Sequence, residues 1–449
     1  MLPPSSRTLG LETTPIAKLL WQYALPAIIG MGANAMYNIA DRIFIGQGVG
    51  ALAISGLALT LPLLLLFTAI GTLVGVGASS RISIVLGMKD RDRAQKILGN
   101  ATFLTLLLST LVITPCMFFL DELLTLFGGS PQTVPYAKEY LQIIIPGSIF
   151  TNFAYNFANI MRATGYPHKS MRILLSGVLL NLILTPLFIF GFHMGIRGGA
   201  IATVISMFTA FLLALRHFRL PNSEIRLDFD HIKPEWHLLR DILSIGLSPF
   251  MMHVTASGVN LVMNHHLLQY GGDLAVGAYG IINSYAMLII MLVMGFCQGM
   301  QPIVGYNYGA GKMKRMKDAL LLTIRLTFFV MLTGFAGAQF FSKQIAQAFT
   351  NDPQLIAIIG KGMPVYLMAL PLVGFQITIS NFFLSIGKAG ISMFMSLSRQ
   401  LIFLIPALLL FSHLYGLNGI WIAGPVSDAT ATFVAAFFLI RQRKIFYRR

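Results

Sequence analysis

Residues Ala101–Leu120 read ATFLTLLLSTLVITPCMFFL, a stretch without one charged side chain. As a helix, about 20 residues rise about 30 Å, the thickness of a bilayer's hydrocarbon core. The rest of the chain shares this character. Of 449 residues, 56% are hydrophobic and 11% charged, at a mean hydropathy of +0.74. A soluble domain carries about 25% charged residues to cover its surface. The chain is therefore read as an all-α polytopic membrane protein whose exterior meets lipid.

Twelve apolar segments follow from the same pattern, at 18–45, 52–80, 97–120, 134–161, 171–191, 197–218, 238–268, 274–306, 318–341, 355–386, 391–412 and 417–440. The first fifteen residues are polar and lack the apolar core of a cleavable leader. Cys116 and Cys297 each lie inside an apolar segment and read as buried fillers, not as a disulfide or metal framework.

The formal charge of +16 points to topology, not to nucleic acid, because the basic residues gather in alternate loops. One set of loops holds Arg81, Lys89, Arg91, Arg93 and Lys96, then Arg162, Lys169 and Arg172, then Arg216 to Arg240, Lys312 to Arg325, and Lys388 with Arg399. The tail adds Arg441, Arg443, Lys444, Arg448 and Arg449, while the opposite set has only Arg42, Lys138, Arg197, Lys343 and Lys361. Basic residues mark the cytoplasmic side, so both termini are expected there.

The two halves echo each other at an offset of about 222 residues. Leu25-Pro26 is answered by Ser248-Pro249, and Asp41 falls opposite Asn264. Leu52-Ala53-Ile54 matches Leu274-Ala275-Val276, Pro146 matches Pro371, and Ser170-Met171 matches Ser392-Met393. The run Gly195 to Gly198 matches Gly416 to Gly419. Six segments per copy bring both copies into the membrane from the same side, as parallel repeats about an axis along the membrane normal. The expected division is a six-helix lobe over 1–222, a polar linker over 223–236 and a second lobe over 237–449. Two bundles facing each other across a cleft point to transport.

Besides acids at span starts such as Glu139, Asp241 and Asp318, two lie within apolar spans, Asp41 and Asp428. A centred Asp costs about 2.5–3.5 kcal/mol to insert, so its presence calls for a use. Asn34, Asn38 and Asp41 recur at helical spacing with Tyr37 beside them, a polar stripe that should avoid lipid. An acid shielded from water holds its proton more firmly, and a nearby cation loosens it. One carboxylate can thus exchange a proton for a cationic substrate. Adjacent residues point about 100° apart on a helix, so Arg42 is a poor direct partner for Asp41.

Further candidates in the first half are Tyr155, Asn156 and Asn159, with Asn181, Thr185 and Thr203. In the second half they are Asn260, Asn264, Gln298, Gln301, Gln376 and Asn381, besides Asp428 itself. Any single amide inside a bundle serves as interhelical glue more often than as a ligand. His253, His265 and His266 show no metal-ligand spacing. Met (23) and Phe (34) are plentiful and would suit a cleft that adapts to varied cations. Gly71 and Gly75 form a small-xxx-small pattern for close helix contact. No enzyme is expected. The segment Tyr306–Met313 ends in Gly311-Lys312 but lacks the leading Gly and final Ser/Thr of a phosphate-binding loop. With no soluble domain long enough to hydrolyse ATP, any pumping must draw on an ion gradient.

These motifs carry a resemblance. Tyr37–Gly46 (YNIADRIFIG) resembles the first-helix motif of the multidrug and toxic compound extrusion (MATE) family. Gly56–Pro62 (GLALTLP) and Gly75–Ser80 (GVGASS) are similar to its second helix, especially in the MepA-like branch. Gln298–Gly309 (QGMQPIVGYNYG) is similar to its eighth. The likeness runs from about residue 15 to 440. It implies a V-shaped pair of six-helix lobes in the cell (inner) membrane, exporting organic cations by antiport with H+ or Na+. It places the coupling-ion site at Asp41 with Asn181, Thr185 and Thr203. Relatives often carry Asn-x-x-x-Asp-Pro in the fifth helix, and here Thr185 stands where that second acid would be. A site with one formal charge is therefore expected. The expected partners are small organic cations, the coupling ion and lipid, with no cofactor, no metal beyond a coupled Na+, and a monomeric working unit. The alternative is a lipid-linked oligosaccharide flippase of a related two-lobe class. That function needs a basic central cavity for diphosphate, which the loop placement of the basic residues disfavours.

Overall fold

A computed structural model describes residues 10–127, 130–221, 223–228 and 232–447, and the backbone alone at Asn38, Ala51 and Tyr447. Asn222 and 229–231 of the linker region, and Arg448 and Arg449 of the basic tail, lie outside the described residues, as does the Asn38 side chain. No strand occurs among the described residues.

The helices are α1 (Ile16–Gly48), α2 (Ala51–Gly87), α3 (Arg91–Phe118), short α4 (Leu120–Leu126), α5 (Val134–Ala163), α6 (Pro167–Pro186) and α7 (Gly195–Arg219). They continue with α8 (Trp236–Gly309), α9 (Met313–Phe340), short α10 (Ser342–Gln347), α11 (Pro353–Tyr366) and α12 (Leu370–Ser385). The last are α13 (Ala389–Leu397), α14 (Ile405–Tyr415) and α15 (Leu417–Arg441). Every apolar segment read from the sequence finds its helix. α8 is 74 residues long, far more than one crossing needs, and is broken at Gly272 (φ 67°, ψ −170°), which separates the seventh and eighth segments. α5 keeps its charges near its ends, at Lys138, Glu139 and Arg162.

Two spans depart from the straight helices expected. The tenth is bent by 53° between α11 and α12. Pro364 and Pro371 flank the break, and each lacks the N–H that a helix requires. Within lipid a freed carbonyl needs another donor, and Gln339 Nε2 reaches the Pro364 carbonyl at 2.7 Å. The eleventh span widens into a π-turn at Ser398–Leu404, just before Pro406. There the Ser427 hydroxyl donates to the Arg399 carbonyl at 2.8 Å. A second π-turn, Leu187–Gly191, follows Pro186 in the fifth span.

The repeat is also written in the backbone. Left-handed residues occur at Gly50 and Gly272, Lys89 and Gly311, Gly165 and Gly387, and Gly195 and Gly416. Each pair is separated by 221 or 222 positions, the offset of the sequence repeat. These are turn positions between spans, where positive φ favours glycine. Lys89 is the one of these eight positions that is not glycine.

Contacts divide the chain into two compact units. One contains Ile29–Phe250, and the other contains Pro15–Ile28 with Met251–Arg449. The first turns of α1 thus group with the second unit, and those of α8 with the first. Each unit has the same close packing for this reason. In the first, a Cβ at Gly246 would meet the Leu73 carbonyl oxygen at 1.8 Å, and one at Gly77 would meet the Ile242 oxygen at 2.2 Å. In the second, Cβ atoms at Gly295 and Gly299 would meet Ile28 and the Ala24 backbone within 2.9 Å. Gly77 with Gly246 repeats as Gly299 with Ala24. Gly246→Ala is expected to cost roughly 1–3 kcal/mol of overpacking. Gly30→Ala, with nothing within 4 Å of the added carbon and a better helix former in place, should leave the melting midpoint in detergent unchanged or slightly raised. Equal midpoints for the two variants would refute this contact.

In the first unit α2 packs along α5, and α5 along α7. Gly71 and Gly75 face α5, where added Cβ atoms would press on Asn152 Oδ1 at 2.8 Å and Asn159 Nδ2 at 2.9 Å. Part of the basic loop charge is neutralised locally. Arg81 pairs with Asp241 and Arg91 with Glu224, each at 2.8 Å. Asn100 fastens the linker by donating to the Lys233 carbonyl and accepting from the Glu235 N–H.

Candidate functional site

Four helices of the first unit meet at a polar cluster, three of them contributing two residues one helical turn apart. α1 supplies Tyr37 and Asp41, α6 supplies Asn181 and Thr185, and α7 supplies Gly199 and Thr203; α5 adds Tyr140. Residues at i and i+4 share one helix face, so each pair points the same way. Asp41 is 7% exposed, Asn181 1% and Thr185 0%.

The hydrogen bonds form a relay. The Thr185 hydroxyl donates to Asn181 Oδ1 at 3.2 Å. Asn181 Nδ2 donates to Thr203 Oγ1 at 3.1 Å, and the Thr203 and Tyr37 hydroxyls meet at 3.3 Å. Asp41 stands at the head of this relay, facing the Thr185 hydroxyl. Its Oδ1 is buried and has no hydrogen-bond partner among the described residues. Gly199 opens the space beside it, since a Cβ there would lie 3.8 Å from Asp41 Oδ1.

The consequence is chemical. In this arrangement the Thr185 hydroxyl is turned to Asn181. Asp41 Oδ1, buried without a hydrogen-bond partner among the described residues, is the oxygen open to a proton or a cation. The carboxylate, two hydroxyls and amide oxygen are hard oxygen donors, which suit Na+ as well as H+.

Asp41, Asn181, Thr185 and Thr203, separated by up to 162 positions in sequence, are thus brought to one place. Tyr140 is near them, buried in the cluster that holds Ile45 of α1 and Ile196 and Ala200 of α7. It escaped the sequence reading, although Tyr136 and Tyr140 recur at helical spacing in an apolar span. The other candidates sort by what they touch. Tyr155 donates to Asn34 Oδ1 at 3.1 Å, joining α5 to α1. Asn159 accepts from Arg162 at 2.6 Å. Asn156 is fully buried and donates to Thr105 at 2.8 Å, which makes it a tie between α5 and α3.

In the second unit Asn260 accepts from Tyr279 at 3.3 Å, and Asn264 is exposed. Gln376 donates to the Met395 carbonyl and Asn381 to the Ile377 carbonyl of its own helix. Gln298 and Gln301 are half-buried in α8. Asp428 accepts from Arg399 Nε at 2.7 Å. Arg399 is therefore not a loop charge, as its place among the basic residues suggested. It sits in the π-turn of the eleventh span, paired inside the bundle.

The MatE family profile matches residues 26–187 and 249–409, two copies offset as the internal repeat is. The multidrug export protein MepA of Staphylococcus haemolyticus (strain JCSC1435) is 29% identical over 435 residues, covering 96% of this chain and 95% of that protein. MepA of Staphylococcus aureus (strain NCTC 8325 / PS 47) is 27% identical over 436 residues, covering 96% of each. Among solved structures, MATE in the bent conformation superposes with a TM-score of 0.93 at 24% identity, covering 98% of both chains. The outward-facing conformation of a multidrug resistance MATE family transporter gives 0.90, over 97% of this chain and 98% of the other.

Proposed function

This chain belongs to the MatE family, and from that membership we propose that it is a secondary active multidrug exporter, expelling organic cations in exchange for H+ or Na+ taken up at Asp41. The observation that carries the coupling site is the buried Asp41 oxygen without a donor at the head of the Thr185–Asn181–Thr203 relay. An ion entering from outside occupies that carboxylate and neutralises the only formal charge of the cluster. Its departure restores the charge, so that empty and loaded forms differ by one unit in a place of low dielectric. With Thr185 in place of a second acid, one ion per cycle suffices.

The protein is a multi-pass membrane protein, and both termini are assigned to the cytoplasmic face of the cell membrane by the charge of alternate loops. The lobes are taken as 1–222 and 237–449, joined by 223–236, and the working unit as a monomer. Purified protein in proteoliposomes should move ethidium against an imposed proton or sodium gradient. Absence of movement under either gradient, in vesicles that hold folded protein, would defeat the proposal.

A further inference from the structure

Inside the second unit lies a cavity of about 80 Å³ lined by Asn283, Tyr366, Arg399, Gly424 and Asp428. Arg399 spends Nε–H on Asp428 Oδ1 at 2.7 Å. Its four remaining N–H groups have no hydrogen-bond acceptor among the described residues, and the side chain is 28% exposed. The Asn283 amide lines the same cavity and likewise has no hydrogen-bond partner among the described residues. Two sets of donors therefore converge unused on one small space. Tyr366 forms an aromatic wall there, edge-on to Tyr279 at 5.8 Å and to Trp421 at 6.1 Å. Gly424 lets α15 pack closely on that ring, because a Cβ would lie 2.7 Å from it.

We propose that this cavity is a carboxylate-recognition site, with Arg399 and the Asn283 amide binding the carboxylate of aromatic zwitterionic substrates. The ligand class follows from charge. Arg399 and Asp428 are neutral as a pair, and a plain anion would add an uncompensated charge to a low-dielectric site. A plain cation would draw Asp428 away and leave Arg399 unpaired. A zwitterion brings both signs: its carboxylate takes the free guanidinium edge in the planar geometry that arginine favours, and its cationic end faces the second Asp428 oxygen. The volume admits a carboxylate with its first carbons beside Tyr366, and the aromatic remainder extends outside the cavity. This makes Arg399 a specificity-determining residue, distinct from the ion site around Asp41.

The proposal rests on the export reading, so its test uses equilibrium binding in detergent, which needs no gradient. The probes are rhodamine 6G, an esterified cation, and the same dye as its free acid, a zwitterion. The readout is the ratio of their affinities. In the double variant R399Q/D428N, neutral and still able to hydrogen bond, the acid-to-ester ratio should fall at least tenfold. In Arg399→Lys, which keeps charge but loses the planar fork, it should fall by a smaller factor. An unchanged ratio in both variants, or equal loss of both dyes, overturns the carboxylate site and leaves multidrug export standing. Failure of the wild type to bind either dye would instead count against the export reading.

Discussion

Asp41→Asn is expected to reduce ion-driven ethidium efflux to the level of empty vesicles, under whichever gradient drives the wild type. Asparagine matches the volume of aspartate, so the packing beside Gly199 is kept. Its amide has both a donor and an acceptor, so it can still hydrogen bond to the Thr185 hydroxyl. The variant should therefore fold, insert and melt no lower than the wild type. What it loses is the ability to change charge. A permanently neutral site behaves as if always loaded, and an exchange that depends on alternating the two states stops. The measurement is efflux in proteoliposomes under separate proton and sodium gradients, with protein content matched. Wild-type rates from the variant would remove Asp41 from coupling and turn attention to Asp428.

The second large effect concerns stability. Asp428→Ala strands Arg399 inside the second unit, where its Nε–H donates to nothing else among the described residues. Breaking a buried ion pair on one side costs about 3–5 kcal/mol, because the partner's charge stays buried without compensation. The pair is not sealed: its side chains are 28% and 14% exposed. The cost should therefore fall near about 3 kcal/mol, seen as a drop of several degrees in the detergent melting midpoint. Removing both charges in R399Q/D428N should recover most of that loss, since neither desolvated charge remains. A midpoint as low in the double variant as in Asp428→Ala would mean that the pair stabilises by more than mutual neutralisation.

Much of this architecture was legible in the chain itself, and particular residues explain why. The run Ala101–Leu120 needs no partner to declare its solvent, because hydrophobicity and length are local properties. The repeat was legible because the same turns recur, and Gly195 and Gly416 even share their left-handed backbone. Asp41 stood out because an acid in an apolar span is expensive wherever its neighbours lie. Tyr140 and Arg399 did not stand out. A tyrosine in a span is unremarkable alone, and a basic residue near a span end is counted with the loops.

The sequence by itself determined that this is a duplicated, twelve-span helical membrane protein with an acid to account for in its first span. Its tertiary structure alone decided what that acid faces. Tyr37 and Thr203 meet across 166 positions, and Asn181 reaches Thr203 from a third helix. It also decided that Arg399 turns inward to Asp428, and that the tenth span breaks while the eleventh widens near their prolines. The physical reason is range. Hydrophobic length and turn preference act within a few residues, whereas hydrogen bonds between helices depend on how whole helices rotate and stack, which no local stretch of chain encodes.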